Sequence, residues 1–108
     1  MSYKQRIQRT YNVPTRGRIV SDRLRKAGFK IVDHYHDPRA HGIRHAIEIA
    51  RKGEPKTKAP WDLGWEDMSE HKDEVEKIVK EVVPEAEFEG YRGSPPWIVR
   101  YTWLEKRD

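Results

Sequence analysis

The sequence predicts an α+β fold in which two helix–strand–strand units form a four-stranded antiparallel sheet with the helices packed on one face. Three observations carry this expectation. Apolar residues recur at helical spacing over residues 16–27 and 68–82. They alternate with polar ones over 29–36, 43–50 and 97–104, the period of a pleated strand. Gly- and Pro-bearing stretches fall between these segments, where the chain must turn.

Residues 1–14 read as a basic arm or an added edge strand. Tyr3, Ile7 and Tyr11 recur at i, i+4 and i+8, yet together with Val13 they also share one face of a strand. The first clear helix spans about 16–27. Thr15 supplies a capping hydroxyl, Ile19, Val20, Leu24 and Ala27 form the apolar stripe, and Gly28 is placed to end it in the left-handed conformation. The period then changes to two. Phe29, Ile31, Asp33 and Tyr35 alternate with Lys30, Val32, His34 and His36, and Ile43, His45, Ile47 and Ile49 with Arg44, Ala46, Glu48 and Ala50. The intervening Asp37-Pro38-Arg39-Ala40-His41-Gly42 has turn chemistry. A helix over 39–51 is the alternative, but isoleucines at every second position favour the hairpin.

Residues 51–66, with two Pro and two Gly, form a connector that Trp61 and Trp65 are expected to pin to the body. Asp67-Met68-Ser69-Glu70 has the spacing of a capping box. Met68, Val75, Ile78, Val79 and Val82 give the second helical stripe, which Pro84 stops. Ala86 and Phe88 begin a strand, residues 92–96 turn, and Trp97, Val99, Tyr101 and Trp103 line one face of the last strand. Shifting that strand by 54 positions lays Trp97 on Ile43 and Trp103 on Ile49, so the two halves share a pattern with little identity.

The 108 residues suffice for one domain, 1–108, and one lean core, because charged residues make up 37% and the apolar set 35%. Four Trp and five Tyr enlarge the area that core can bury. The absence of Cys removes disulfides, zinc ribbons and thiol chemistry together. No apolar run reaches the roughly 18 residues of a membrane span, and no apolar stretch follows the basic N-terminus. A soluble cytoplasmic protein without membrane contact is expected. Abundant Lys, Arg and Glu beside one Asn and two Gln lean toward a thermophile.

Charge is unevenly spread. Residues 1–30 carry nine Lys/Arg and one acid, whereas 61–108 carry seven basic and thirteen acidic residues. Such polarity points to a polyanionic partner for the basic end. Lys4, Arg6, Arg9, Arg16, Arg18, Arg23, Arg25 and Arg39 are the expected phosphate contacts, extended by Lys26 and Lys30. Arg16 and Arg23, like Arg18 and Arg25, are seven residues apart and share a helix face. Tyr3, Tyr11, Tyr35 and His34 could stack on unpaired bases. The expected function is nucleic-acid binding, with DNA the favoured polymer. The alternative is an assembly module whose basic and acidic halves pair in a homodimer or with an acidic partner protein, using an apolar sheet face around Trp97, Tyr101 and Trp103.

Residues 16–50, RGRIVSDRLRKAGFKIVDHYHDPRAHGIRHAIEIA, resemble the recognition helix and β-wing of winged-helix DNA-binding domains. That resemblance implies DNA contact by the helix and carries no individual residue role; two further helices of that fold are not evident before Pro14.

An enzyme is the less favoured class, and no cofactor is expected. The chain has no G-x-S-x-G, no Walker loop and no G-x-G-x-x-G. The histidines are the one constellation suited to metal chemistry. His34 and His36 share a strand face at i and i+2, His41 follows in the turn, and Asp37 lies beside them, so His34, His36 and His41 are weak metal candidates in a chain otherwise expected to hold none. The alternating pattern also allows Asp33 to face His45, a carboxylate–imidazole pair suited to acid–base work or to simple mutual satisfaction.

Overall fold

The computed structural model describes residues 16–106. The chain runs α1 (Arg16–Lys26), β1 (Lys30–Arg39), β2 (Gly42–Ala50), a 3-10 turn (Met68–Glu70), α2 (Lys72–Val82), β3 (Glu87–Arg92) and β4 (Ile98–Lys106). The four strands form one sheet in the order β1-β2-β4-β3, each neighbouring pair antiparallel. The α+β architecture with paired hairpins is therefore as expected, and the anticipated arm or edge strand at 1–14, with the Thr15 cap, lies outside the described residues.

The core lies between the two helices and one face of the sheet. Val20 and Leu24 of α1 and Val75 and Val79 of α2 are fully buried against Ile47, Ile49, Val99, Tyr101 and Trp103. Each helix contributes residues at i and i+4, one turn apart on a single face. Burial of such side chains stabilises by about 1.5–3 kcal/mol each.

Helix α1 ends as its sequence requires. Gly28 adopts φ 95°, Gly28 N donates to Arg25 O and Phe29 N to Leu24 O, a Schellman closure whose hydrophobic contact is Phe29 against the Leu24 region. The second helix starts differently from expectation. Asp67 accepts from Ser69 N at 2.9 Å and Ser69 Oγ at 2.6 Å, so it caps the 3-10 turn, and α2 proper begins at Lys72.

The β1–β2 hairpin turns on Ala40 and His41 alone, between the paired residues Arg39 and Gly42. It is no free wing: β2 pairs with β4 along its length and occupies an inner sheet position, so the winged-helix resemblance does not extend to the topology.

One irregularity sets the chemistry of this hairpin. The register runs Ile31↔Ile49 and then Asp33↔Glu48, leaving Val32 as an extra residue. A one-residue bulge reverses which side chains face the core. Beyond it, His34 lies across from Ile47 and His36 from His45, while Asp33 and Tyr35 fall on the opposite face, across from Glu48 and Ala46. The expected Asp33–His45 pairing is therefore replaced by a histidine–histidine pairing.

Residues 51–66 are a closed loop rather than an open connector. Lys52 and Trp65 form an isolated bridge, Gly53 N donates to Gly64 O at 2.6 Å, and Glu66 N donates to Arg51 O. Inside it, Asp62 accepts from Thr57 N, Thr57 Oγ1 and Gly64 N. Trp65 packs on Trp97 with ring centroids 5.2 Å apart, as a pin should. Trp61 does not pin the loop: it is 83% exposed.

Candidate functional site

Three regions contain the residues that sequence reasoning singled out. The first is the exposed side of α1. Arg16 donates from Nη1 and Nη2 to both oxygens of Glu85, at 2.7 and 2.9 Å, and from Nε to Glu105 at 2.8 Å. Two carboxylates thus hold one guanidinium; Glu85 is kept below the ordinary carboxyl value chiefly by its hydrogen bond from Arg16. Arg23 stands 3.8 Å from Glu81, Arg25 3.6 Å from Asp22, and Arg39 2.6 Å from Asp37. Among the described residues no ion pair engages Arg18. Lys4, Arg6 and Arg9 lie outside them. Part of the charge polarity is therefore internal, since acids of the second half neutralise Arg16 and approach Arg23.

The second region is the 51–66 loop with the start of β1. The Lys30 and Lys52 ammonium groups lie 5.7 and 5.9 Å from the centroid of the Trp65 ring. Lys56 and Lys58 are exposed on the same loop as Trp61 and Leu63. The loop's acids are largely committed: Asp62 to its internal hydrogen bonds, and Glu66 to Arg51 at 3.1 Å. Cations and exposed aromatic surface therefore coincide here, at a place the sequence reading treated as a spacer.

The third region is the helix-facing side of the hairpin near its tip. His34, His36 and His45 bring one ring nitrogen each to within 4.8 Å of one another. His34 Nε2 and His45 Nδ1 are 3.0 Å apart, a hydrogen bond in which one ring donates and the other accepts. Trp103 stacks on His45 with centroids 4.9 Å apart and planes 6° from parallel. Burial, then the neighbouring His36, pushes His34 down to about 4; burial, then His36 and His34, pushes His45 down to about 3. Both are neutral imidazoles at neutral pH. His41, grouped with His34 and His36 by proximity in sequence, sits in the turn and outside this cluster; His45 takes its place.

No family model, curated protein or solved structure matches the chain. Function therefore rests on the geometry of these regions.

The geometry also corrects the apolar face of the assembly reading. Tyr101 is fully buried and Trp103 is 4% exposed, both within the core beneath the helices, so they offer nothing to a partner. On the other face of the sheet, Glu48 is buried with Arg92 Nη1 3.1 Å and Arg100 Nη1 3.9 Å from its Oε2; the contact is one of charge, without hydrogen-bond alignment. Among the described residues, no helix is long and apolar enough to cross a membrane.

Proposed function

We propose that the protein binds nucleic acid, with the 51–66 loop and Lys30 as the principal contact rather than the arginine rows of α1. The observation that carries this reading is the placement of Lys30 and Lys52 beside Trp65, on the loop whose Trp61 is 83% exposed. Lysines gather phosphates and release counterions, while an exposed indole offers a stacking platform to any unpaired base. Single-stranded nucleic acid suits that combination, because bases in a duplex are already stacked. Arg18, Arg25 and the basic residues of 1–14 would extend the same attraction along the backbone. Arg16 contributes little, since moving it to a phosphate would strip two carboxylates of their partner.

Fluorescence anisotropy with single- and double-stranded DNA and RNA probes at two salt concentrations tests the reading. Micromolar or tighter binding of the single-stranded probes, weakened by salt and accompanied by quenched tryptophan emission, is expected. Absence of salt-dependent binding at micromolar protein would rule it out.

A further inference from the structure

We infer that His34, His36 and His45 form a binding site for one divalent transition-metal ion of the zinc type, with a coordination position left open to solvent. Nothing in the nucleic-acid reading requires this site. It lies toward the hairpin tip, whereas the basic loop begins after the far end of β2. Five residue steps along the strand, about 17 Å, separate His45 from Ala50.

The β-bulge at Val32 creates the donor set. His34 and His36, two apart on β1, share a face, and His45 on β2 stands directly across from His36. Their nitrogens already lie within 4.8 Å of one another, whereas ligands around a tetrahedral zinc with Zn–N near 2.0–2.1 Å stand about 3.3 Å apart. Small ring rotations therefore complete the site without moving the backbone. On binding, the ring that now donates in the His34–His45 hydrogen bond takes its other tautomer, so that both nitrogens turn lone pairs to the ion.

Two features fit the site to this use. Trp103, stacked parallel on His45, fixes the plane of that imidazole. Gly17, buried in the first turn of α1, lies over the rings: a Cβ there would come 2.5 Å from His34 Cε1 and 2.9 Å from His34 Nε2. Glycine is a poor helix residue, by about 1 kcal/mol relative to alanine, and here it makes room for the cluster.

The surrounding charges tolerate a cation. Arg16 is the nearby charge that would oppose one at His45, and it is matched by both Glu85 and Glu105; Asp33 acts on His34 with the attractive sign, against the weaker repulsion of Arg25. Three imidazoles, with His36 exposed, leave the outer position to water or to a small ligand. Affinity among divalent ions should rise through cobalt and nickel to copper, with zinc close behind.

The test uses the full-length chain after chelator treatment, titrated with zinc chloride by calorimetry and with cobalt chloride by visible absorption. One equivalent of zinc should bind, and cobalt should give the intense d–d bands of a low-coordinate site. His36→Ala, an exposed substitution whose fold is checked by circular dichroism, should weaken zinc by about tenfold or more, while His41→Ala should leave it unchanged. His34→Gln should act as His36→Ala does. Failure of both ions to saturate would overturn the inference. So would undiminished affinity in His36→Ala, or an equal loss in His41→Ala.

Discussion

His36 stands directly across the hairpin from His45, in register with the Arg39↔Gly42 turn, and Val32 is the extra residue that absorbs the offset to Ile31↔Ile49. Deleting Val32 should therefore close the bulge and keep every pair from Asp33↔Glu48 onward. Inserting one glycine after Asp33 should instead turn His34 and His36 to the opposite face. The deletion is expected to cost no more than about 1 kcal/mol, since Val32 is 42% exposed, whereas the insertion should be markedly destabilising. Urea denaturation of both variants, with NMR contacts between the His36 and His45 rings, checks this.

Gly17→Ala gives the second test. Helix propensity alone favours alanine by about 1 kcal/mol. The 2.5 Å approach to His34 Cε1 should reverse that sign and destabilise by about 1–3 kcal/mol. In a His34→Ala background only the 3.2 Å approach to His45 Nδ1 remains, and the same substitution should cost clearly less than in the wild-type chain. The coupling between the two substitutions is the quantity to measure.

Much of the fold was legible because its signals are local. The Val20–Leu24 and Val75–Val79 stripes, the Gly28 stop and the isoleucine alternation of β2 each lie within a few residues of chain. The site was not equally legible. A bulge has no strong local signature in Lys30-Ile31-Val32-Asp33, since Val32 is as good a strand residue as its neighbours. Without it the alternation puts Asp33 and Tyr35, not His34 and His36, on the face that carries His45. The arginines of α1 were visible as residues, but their partners Glu81, Glu85 and Glu105 are distant in sequence, so their neutralisation depends on tertiary packing. Trp61 and Trp65 are four residues apart with similar surroundings, yet one packs on Trp97 and the other faces solvent.

Glu48 should show an asymmetry. Its carboxylate is buried, but Arg92 is 61% exposed and can be rehydrated if the acid is removed. Glu48→Leu should therefore change stability by less than about 1 kcal/mol. Replacing Arg92 and Arg100 together by alanine leaves the carboxylate buried and uncompensated, and should cost about 3 kcal/mol or more. Chemical denaturation of the two variants at neutral pH compares them.

Acid should act through Glu85. Its folded-state pKa lies below the ordinary value of 4.5, with the Arg16 hydrogen bond the largest cause. The unfolded chain then binds the proton more readily, so this contribution is complete above the ordinary value and is lost as pH falls through the folded one. The urea midpoint should drop over that acidic window, and Glu85→Gln should flatten the drop while lowering stability at neutral pH.

The most direct test of the proposed function is the salt dependence of single-strand binding by the wild-type chain and by a Lys52→Ala/Lys56→Ala/Lys58→Ala variant. For single strands the slope of log K against log salt changes by about 0.7 for each phosphate contact. Removing three loop cations should therefore reduce it by about 2, and adding Trp61→Ala should weaken binding further by about 1–3 kcal/mol at any salt. Arg16→Met should leave the slope unchanged. A wild-type slope retained in full by the loop variant, or no measurable binding by the wild-type chain, would contradict the account.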